Sequence, residues 1–104
     1  MRSGVKTLSE KDFQQHVLDL TRLSGWLCYH THDSWRSAPG FPDLVMVRPP
    51  RLLFVELNSE QGRLRPEQAT WLEVLAGCED APEVHLWRPA DFEDVQATLK
   101  REAA

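Results

Sequence analysis

Residues 43–58 read DLVMVRPPRLLFVELN, and this stretch decides the fold. Asp43 to Arg48 and Leu52 to Leu57 are two apolar runs of strand character, separated by Pro49, Pro50 and Arg51, which predicts a hairpin. The midpoint of positions 43 and 56 falls between the prolines. Asp43 and Glu56 are therefore expected nearly opposite each other on antiparallel strands, with Cβ atoms about 5 Å apart in a direct pair. Carboxylates that close repel unless a proton or a cation lies between them. Both emerge from apolar runs, where unpaired charge is expensive to bury. A hard divalent cation such as Mg²⁺, bound through one or two carboxylates plus water and substrate phosphate, resolves the conflict. Strand alternation turns residue 58 to the same face as Glu56, so Asn58 points at the same metal-and-water region. The plainer alternative is that Asp43 simply starts a strand and Glu56 pairs with a nearby arginine. Both runs are apolar at nearly every position, which predicts a sheet covered on both faces.

Outward from the hairpin, helices flank it. Ser9 is a good N-cap with Asp12 three residues on, and Phe13, Val17 and Leu20 form a helical stripe that Gly25 ends. Trp26 to Tyr29 reads as a short strand, followed by a polar loop from His30 to Gly40. Beyond the hairpin, Ser59 to Arg65 is a polar loop, and Pro66 suits the first turn of a helix carrying Trp71, Leu72, Leu75 and Ala76 up to Gly77. Glu83 to Trp87 is a last strand, and Phe92, Val95 and Leu99 mark a terminal helix. The order is α-β-β-β-α-β-α, and the fold class expected is α/β, a central mixed sheet flanked by helices.

The chain has 104 residues, 41% hydrophobic and 27% charged, which predicts one globular domain over 1–104. No stretch approaches the roughly 18 apolar residues needed to span a bilayer, and nothing resembles a signal peptide, so a cytoplasmic location is expected. Cys28 and Cys78 lack metal-type spacing and read as two buried free thiols. A net charge of −4 does not advertise a nucleic-acid binder. A nuclease that gathers carboxylates around a cation can still be acidic, because the ion supplies local positive charge. Arg48, Arg51, Arg63 and Arg65 crowd the neighbourhood of the candidate site in sequence. His30, His32 and Asp33 form a small polar cluster that reads first as a solvated loop, next as a substrate-side or phosphate contact and last as metal-ligating, and His16 and His85 read as packing residues. Trp35 beside Arg36 in the same loop is a candidate for stacking on an unpaired base, with a core-capping tryptophan as the plainer reading.

Gly40-Phe41-Pro42-Asp43, then Val55-Glu56-Leu57-Asn58, then Gly62-Arg63-Leu64-Arg65-Pro66-Glu67-Gln68, together resemble the PD-(D/E)XK nuclease superfamily. More narrowly they resemble the VRR-NUC family in its short, stand-alone form found in phages and bacteria. The Gly-Arg-Leu-x-Pro-Glu-Gln extension is the specific part, and the resemblance runs from the first helix to Phe92. It implies a restriction-endonuclease-like core and Mg²⁺- or Mn²⁺-dependent cleavage of DNA. It also implies Asp43, Glu56 and the backbone carbonyl of Leu57 as metal ligands. A Glu or Gln from the first helix often joins such sites. Gln14 is the best-placed candidate, ahead of Gln15 and Glu10, and Gln68 is a further candidate facing the site. Arg36, Arg63, Arg65 and Trp35 are the candidate DNA contacts.

Where the family carries Glu-x-Lys this chain has Asn58. Asparagine keeps hydrogen-bonding capacity but loses the charge that stabilises developing negative charge, a loss that typically costs about 10²–10⁴ in rate. Three readings follow: a deliberately inactivated site, a natural variant in which Arg63 or Arg65 supplies the charge, or a non-catalytic DNA-binding relative. The leading expectation is a DNA endonuclease acting on branched or structured, Holliday-junction-like DNA as a homodimer. Trp71, Trp87 or the terminal helix would supply the apolar surface for that dimer.

Overall fold

A computed structural model describes residues 8–31, 38–80 and 82–102. Helix α1 spans Glu10–Leu23 and is followed by strands β1 (Leu27–His30), β2 (Leu44–Arg48) and β3 (Arg51–Leu57). Helix α2 (Pro66–Ala76), strand β4 (Glu83–Trp87), a single 3-10 turn (Pro89–Asp91) and helix α3 (Phe92–Lys100) complete the chain. The expected order holds, with the short turn added. His32, Asp33, Trp35 and Arg36 lie outside the described residues.

The four strands stand in the order β1-β2-β3-β4, the first two pairings antiparallel and the last parallel, so the sheet is mixed. In the hairpin Leu44 opposes Val55 and Arg48 opposes Arg51 across the cis Pro49–Pro50 turn. One step beyond Leu44, that register sets Asp43 against Glu56, as the sequence spacing predicted. Ser9 caps α1 by accepting from the Asp12 N–H at 3.0 Å, and Gly25 follows its C-cap at φ 84°.

The main core lies on one face of the sheet. Phe13 and Val17 of α1 and Val95 and Leu99 of α3 pack on Leu44, Met46, Leu53, Val55 and Leu57, all buried. The second face departs from expectation. Helix α2 packs beside β4, and Trp71 reaches Phe54 through the edge-on ring of Phe41. The β1–β2 half is left open, with Leu27 76% and Tyr29 62% exposed. The uniformly apolar strands suggested two covered faces, but α2 is eleven residues long and shields only part of the second one.

Of the side chains expected to supply apolar surface, Trp87 is buried, and the half-buried Trp71 donates its indole N–H to the Pro39 carbonyl at 3.1 Å. Cys78 is exposed and Cys28 half-buried, so the two thiols are not both core residues. His16 is exposed and meets Phe92 edge-on, while half-buried His85 stacks on Trp87.

The loop before β2 meets the start of α2 at Gly40. Its φ is +85°, and a Cβ there would lie 2.6 Å from the Glu67 carbonyl. Only glycine supplies both the left-handed conformation and the missing atom. That close approach joins the Gly40–Asp43 segment to the Arg65–Gln68 segment and sets up the site.

Candidate active site

The open end of the hairpin, the N-terminus of α1 and the N-terminus of α2 enclose a cavity of about 270 Å³ with an almost wholly polar lining. Asp43, Glu56, Leu57, Asn58, Arg63, Arg65 and Gln68, all singled out from sequence, line it together with Glu10. Gln14 is not among the lining residues. Glu10, one helical turn earlier, takes the position expected of it, and Gln15 is bound to Asp19 at 2.9 Å. A larger hollow, about 420 Å³, lies against α3 and β4 and contains none of the candidate residues.

Each donor is held by its local structure. The Leu57 N–H donates to Asp43 Oδ2 at 2.8 Å, tying the residue before β2 to the end of β3. Glu56 is 2% exposed, and its Oε2 accepts from Gln68 Nε2 at 2.7 Å. The orientation of the Gln68 amide is fixed from its other end, because its Oε1 accepts the Arg65 N–H at 2.8 Å and leaves the NH₂ for Glu56. A guanidinium has no acceptor, so this Gln68 half is the part of the α2 capping box that chemistry allows. Glu56 Oε1 is buried with no donor.

Electrostatics follow from that geometry. Burial and then the Asp43 charge push the Glu56 carboxyl up to about 8. Burial likewise raises Asp43, opposed by its bond from the Leu57 N–H, and raises Glu10, with Asp43 adding to the effect. The pair thus holds a proton through the range where free carboxylates have lost theirs, and a protonated Glu56 donates to Asp43. An ionised Glu56 instead leaves Oε1 needing a cation.

The sign of the pH effect is fixed by this proton. Between the ordinary 4.5 and about 8 the folded chain binds it and the unfolded chain does not, so stability falls as pH rises through that window. In chelator, the melting temperature of the chain should drop from pH 5 to pH 9 more steeply than that of Glu56→Gln. Parallel profiles would remove Glu56 as the cause.

The residues fit a hard divalent cation. Among the described residues no three His, Cys, Asp or Glu side chains are grouped to hold a metal by themselves. Two carboxylates, the Leu57 carbonyl and the orphaned Oε1 make a partial set of oxygen donors, of the kind Mg²⁺ completes with water and substrate oxygens.

Asn58 is buried at the cavity wall, its Oδ1 accepting the Ser59 N–H at 2.9 Å. Gly62 lies flat on it: a Cβ there would be 1.8 Å from Asn58 Oδ1. Arg88, which the sequence reading included in the resemblance but gave no role, braces this loop. Its Nη1 donates to the Ser59 and Gly62 carbonyls at 2.7 and 2.8 Å, and Ala90 N–H donates to Glu60 Oε1 at 3.0 Å. Arg48 and Arg51, counted with the site's basic residues from sequence, sit at the closed end of the hairpin. There they bond backbone carbonyls at the end of α3.

The VRR-NUC domain matches residues 3–86 of the chain. A solved structure described as a VRR_NUC domain has the same fold, with a TM-score of 0.67 at 21% identity over 90% of this chain and 97% of that one. No curated protein sequence matches.

Proposed function

The chain belongs to the VRR-NUC domain family, a nuclease family, and we propose that it hydrolyses DNA phosphodiesters at the polar cavity with Mg²⁺ or Mn²⁺. The observation that carries this reading is Glu56 Oε1, buried without a donor beside the Asp43 carboxylate. Asp43, Glu56 and the Leu57 carbonyl would hold the ion. When bound, the ion supplies a polarised water and charge stabilisation at the phosphoryl group. Gln68 keeps Glu56 aimed into the cavity, and Arg63 and Arg65 meet the phosphate backbone.

Branched DNA and a homodimer belong to the same proposal. One domain of this size offers little surface to a duplex, and two copies would set two cavities against two strands. Among the described residues β1 is an edge strand, and its exposed Leu27 and Tyr29 are the apolar surface in favour of that pairing. Among the described residues no helix is long and apolar enough to cross a membrane.

A second reading, a DNA-binding module without catalysis, is favoured by Asn58, whose amide brings no charge and is engaged with the Ser59 N–H. Incubation of a four-way junction and a plain duplex with the chain and with Asn58→Lys in Mn²⁺ tests both. The nuclease reading expects cleavage by the chain, preferentially of the junction. Cleavage by Asn58→Lys alone, with DNA binding by both, selects the second reading. Inertness of both on every DNA sinks the nuclease.

A further inference from the structure

Resting on that nuclease reading, we infer that Arg65 is a catalytic residue of this chain, supplying to the scissile phosphate the positive charge that position 58 does not. Among the described residues the cavity is lined by three carboxylates and no lysine, and the basic side chains lining it are Arg63 and Arg65. They are not equivalent.

Arg65 breaks a local rule. It is the N-cap of α2, with extended backbone (φ −78°, ψ 155°) and no side-chain cap hydrogen bond to the first-turn amides. Ser, Thr, Asp and Asn dominate at N-caps because their oxygens accept from the orphan amides of the first turn. A guanidinium cannot accept, so an arginine there forgoes the cap. Locally unfavourable choices of this kind concentrate at functional sites.

Its placement is also the better fixed. The Arg65 N–H is bound to Gln68 Oε1 at 2.8 Å, and Gln68 Nε2 is bound to Glu56 Oε2 at 2.7 Å. The backbone of Arg65 is thereby two hydrogen bonds from the buried carboxylate, and Gly40 packs against the backbone of Glu67 and Gln68 in the same turn. Its side chain is 61% exposed, and Nε meets Glu67 Oε2 at 3.3 Å. That pair is solvated and weak, so the Nη groups remain available to a phosphate, which arginine grips through two parallel N–H groups. The positive field of Arg65 reaches Glu10, Asp43 and Glu56 alike.

The step served is hydrolysis. The water oxygen forms a bond to phosphorus while the bond to one sugar oxygen breaks. One water proton leaves to solvent, and the departing sugar oxygen takes up another. Arg65 keeps its protons throughout and hydrogen-bonds the non-bridging oxygens as charge grows on them.

The test compares the chain with Arg65→Gln, Arg65→Lys, Arg63→Gln, Asn58→Lys and the Arg65→Gln/Asn58→Lys double variant. Mn²⁺-dependent cleavage of DNA gives kcat and KM, and calorimetry gives Mn²⁺ affinity. Arg65→Gln should lower kcat about 10²-fold or more with Mn²⁺ affinity and melting temperature little changed. Asn58→Lys should restore kcat in that background, and Arg65→Lys should retain part of it. Arg63→Gln should act on KM. Unchanged kcat in Arg65→Gln with a parent that cuts overturns the inference and leaves the nuclease reading standing. An inert parent whose Asn58→Lys variant cuts overturns both in favour of the non-catalytic DNA-binding reading. If parent and Asn58→Lys are both inert on all DNA, the nuclease reading fails and the inference falls with it.

Discussion

Replacing Arg51 with alanine is expected to destabilise the chain by about 3 kcal/mol, the low end of the cost of breaking one side of a buried ion pair, because Glu83 is 30% exposed. The Arg51 side chain is 6% exposed. Its Nε and Nη2 make a two-pronged contact with Glu83 at 2.7 and 2.8 Å, and its Nη1 donates to the Thr98 and Arg101 carbonyls. The guanidinium lies 5.0 Å from the centre of the Trp26 ring, which Arg48 also approaches at 4.7 Å. Trp26 in turn donates to the Leu99 carbonyl at 2.9 Å. Two arginines and an indole therefore satisfy the carbonyls at the C-terminus of α3, where positive charge is favoured by the helix dipole. For a domain this small, each kcal/mol lost lowers the melting temperature by about 4–8 °C. Arg101 also pairs with Glu83, at 2.9 Å but with its own side chain 54% exposed. Arg101→Ala should cost no more than about 1 kcal/mol. The acid limb supplies a second readout. Arg51 holds the Glu83 carboxyl down at about 2, so this contribution is complete above the ordinary 4.5 and is lost as pH falls toward 2. Arg51→Ala should flatten that part of the acid titration. A variant within 1 kcal/mol of the parent would show that the end of α3 is held by other contacts.

How far the sequence reached is clearest at the hairpin. Two prolines between uniformly apolar runs leave few registers, and the pairing of Leu44 with Val55 is the one their spacing implies. Caps were legible for the same reason: Ser9 and Pro66 act on their own first turns, within reach of local reasoning. Choices that depend on how elements meet were not. Periodicity puts Phe13 and Val17 inward, but it cannot say whether the first or the second turn of α1 borders the cavity. The sequence reading therefore favoured Gln14 over Glu10. Arg48 and Arg51 are near the site in sequence, yet a strand rises about 3.3 Å per residue, so the turn of a five-residue hairpin strand stands well away from its open end. The Arg88 brace joins residues 26 to 29 positions apart, and a lone arginine before a proline carries no signal for it. The Gly62 signal was present: a glycine shortly after Asn58, in a polar loop, is what close approach to a neighbouring side chain requires.

Asp43→Asn should abolish Mn²⁺ binding, with a fall in affinity beyond the 10–100-fold that follows loss of a supporting partner alone. The same change should make the metal-free chain more stable at pH 8. These opposite signs have one cause. In the parent, Asp43 and Glu56 face each other across the hairpin, and the charge on Asp43 is a principal reason, after burial, that Glu56 is pushed up to about 8. Removing that charge lowers the cost of ionising Glu56, so less stability is lost as pH rises. The asparagine oxygen can still accept the Leu57 N–H, which the parent bonds at 2.8 Å, so the end of β3 keeps its partner. The cation, however, loses one of its two carboxylates, and a neutral amide is a poorer donor to a hard ion. A residue whose role was only to order the hairpin would give the reverse pattern, lower stability with metal affinity retained. Melting in chelator and calorimetric titration with Mn²⁺ on the same preparations separate the two. Retained Mn²⁺ binding in both Asp43→Asn and Glu56→Gln would mean that the ion is held outside this cavity.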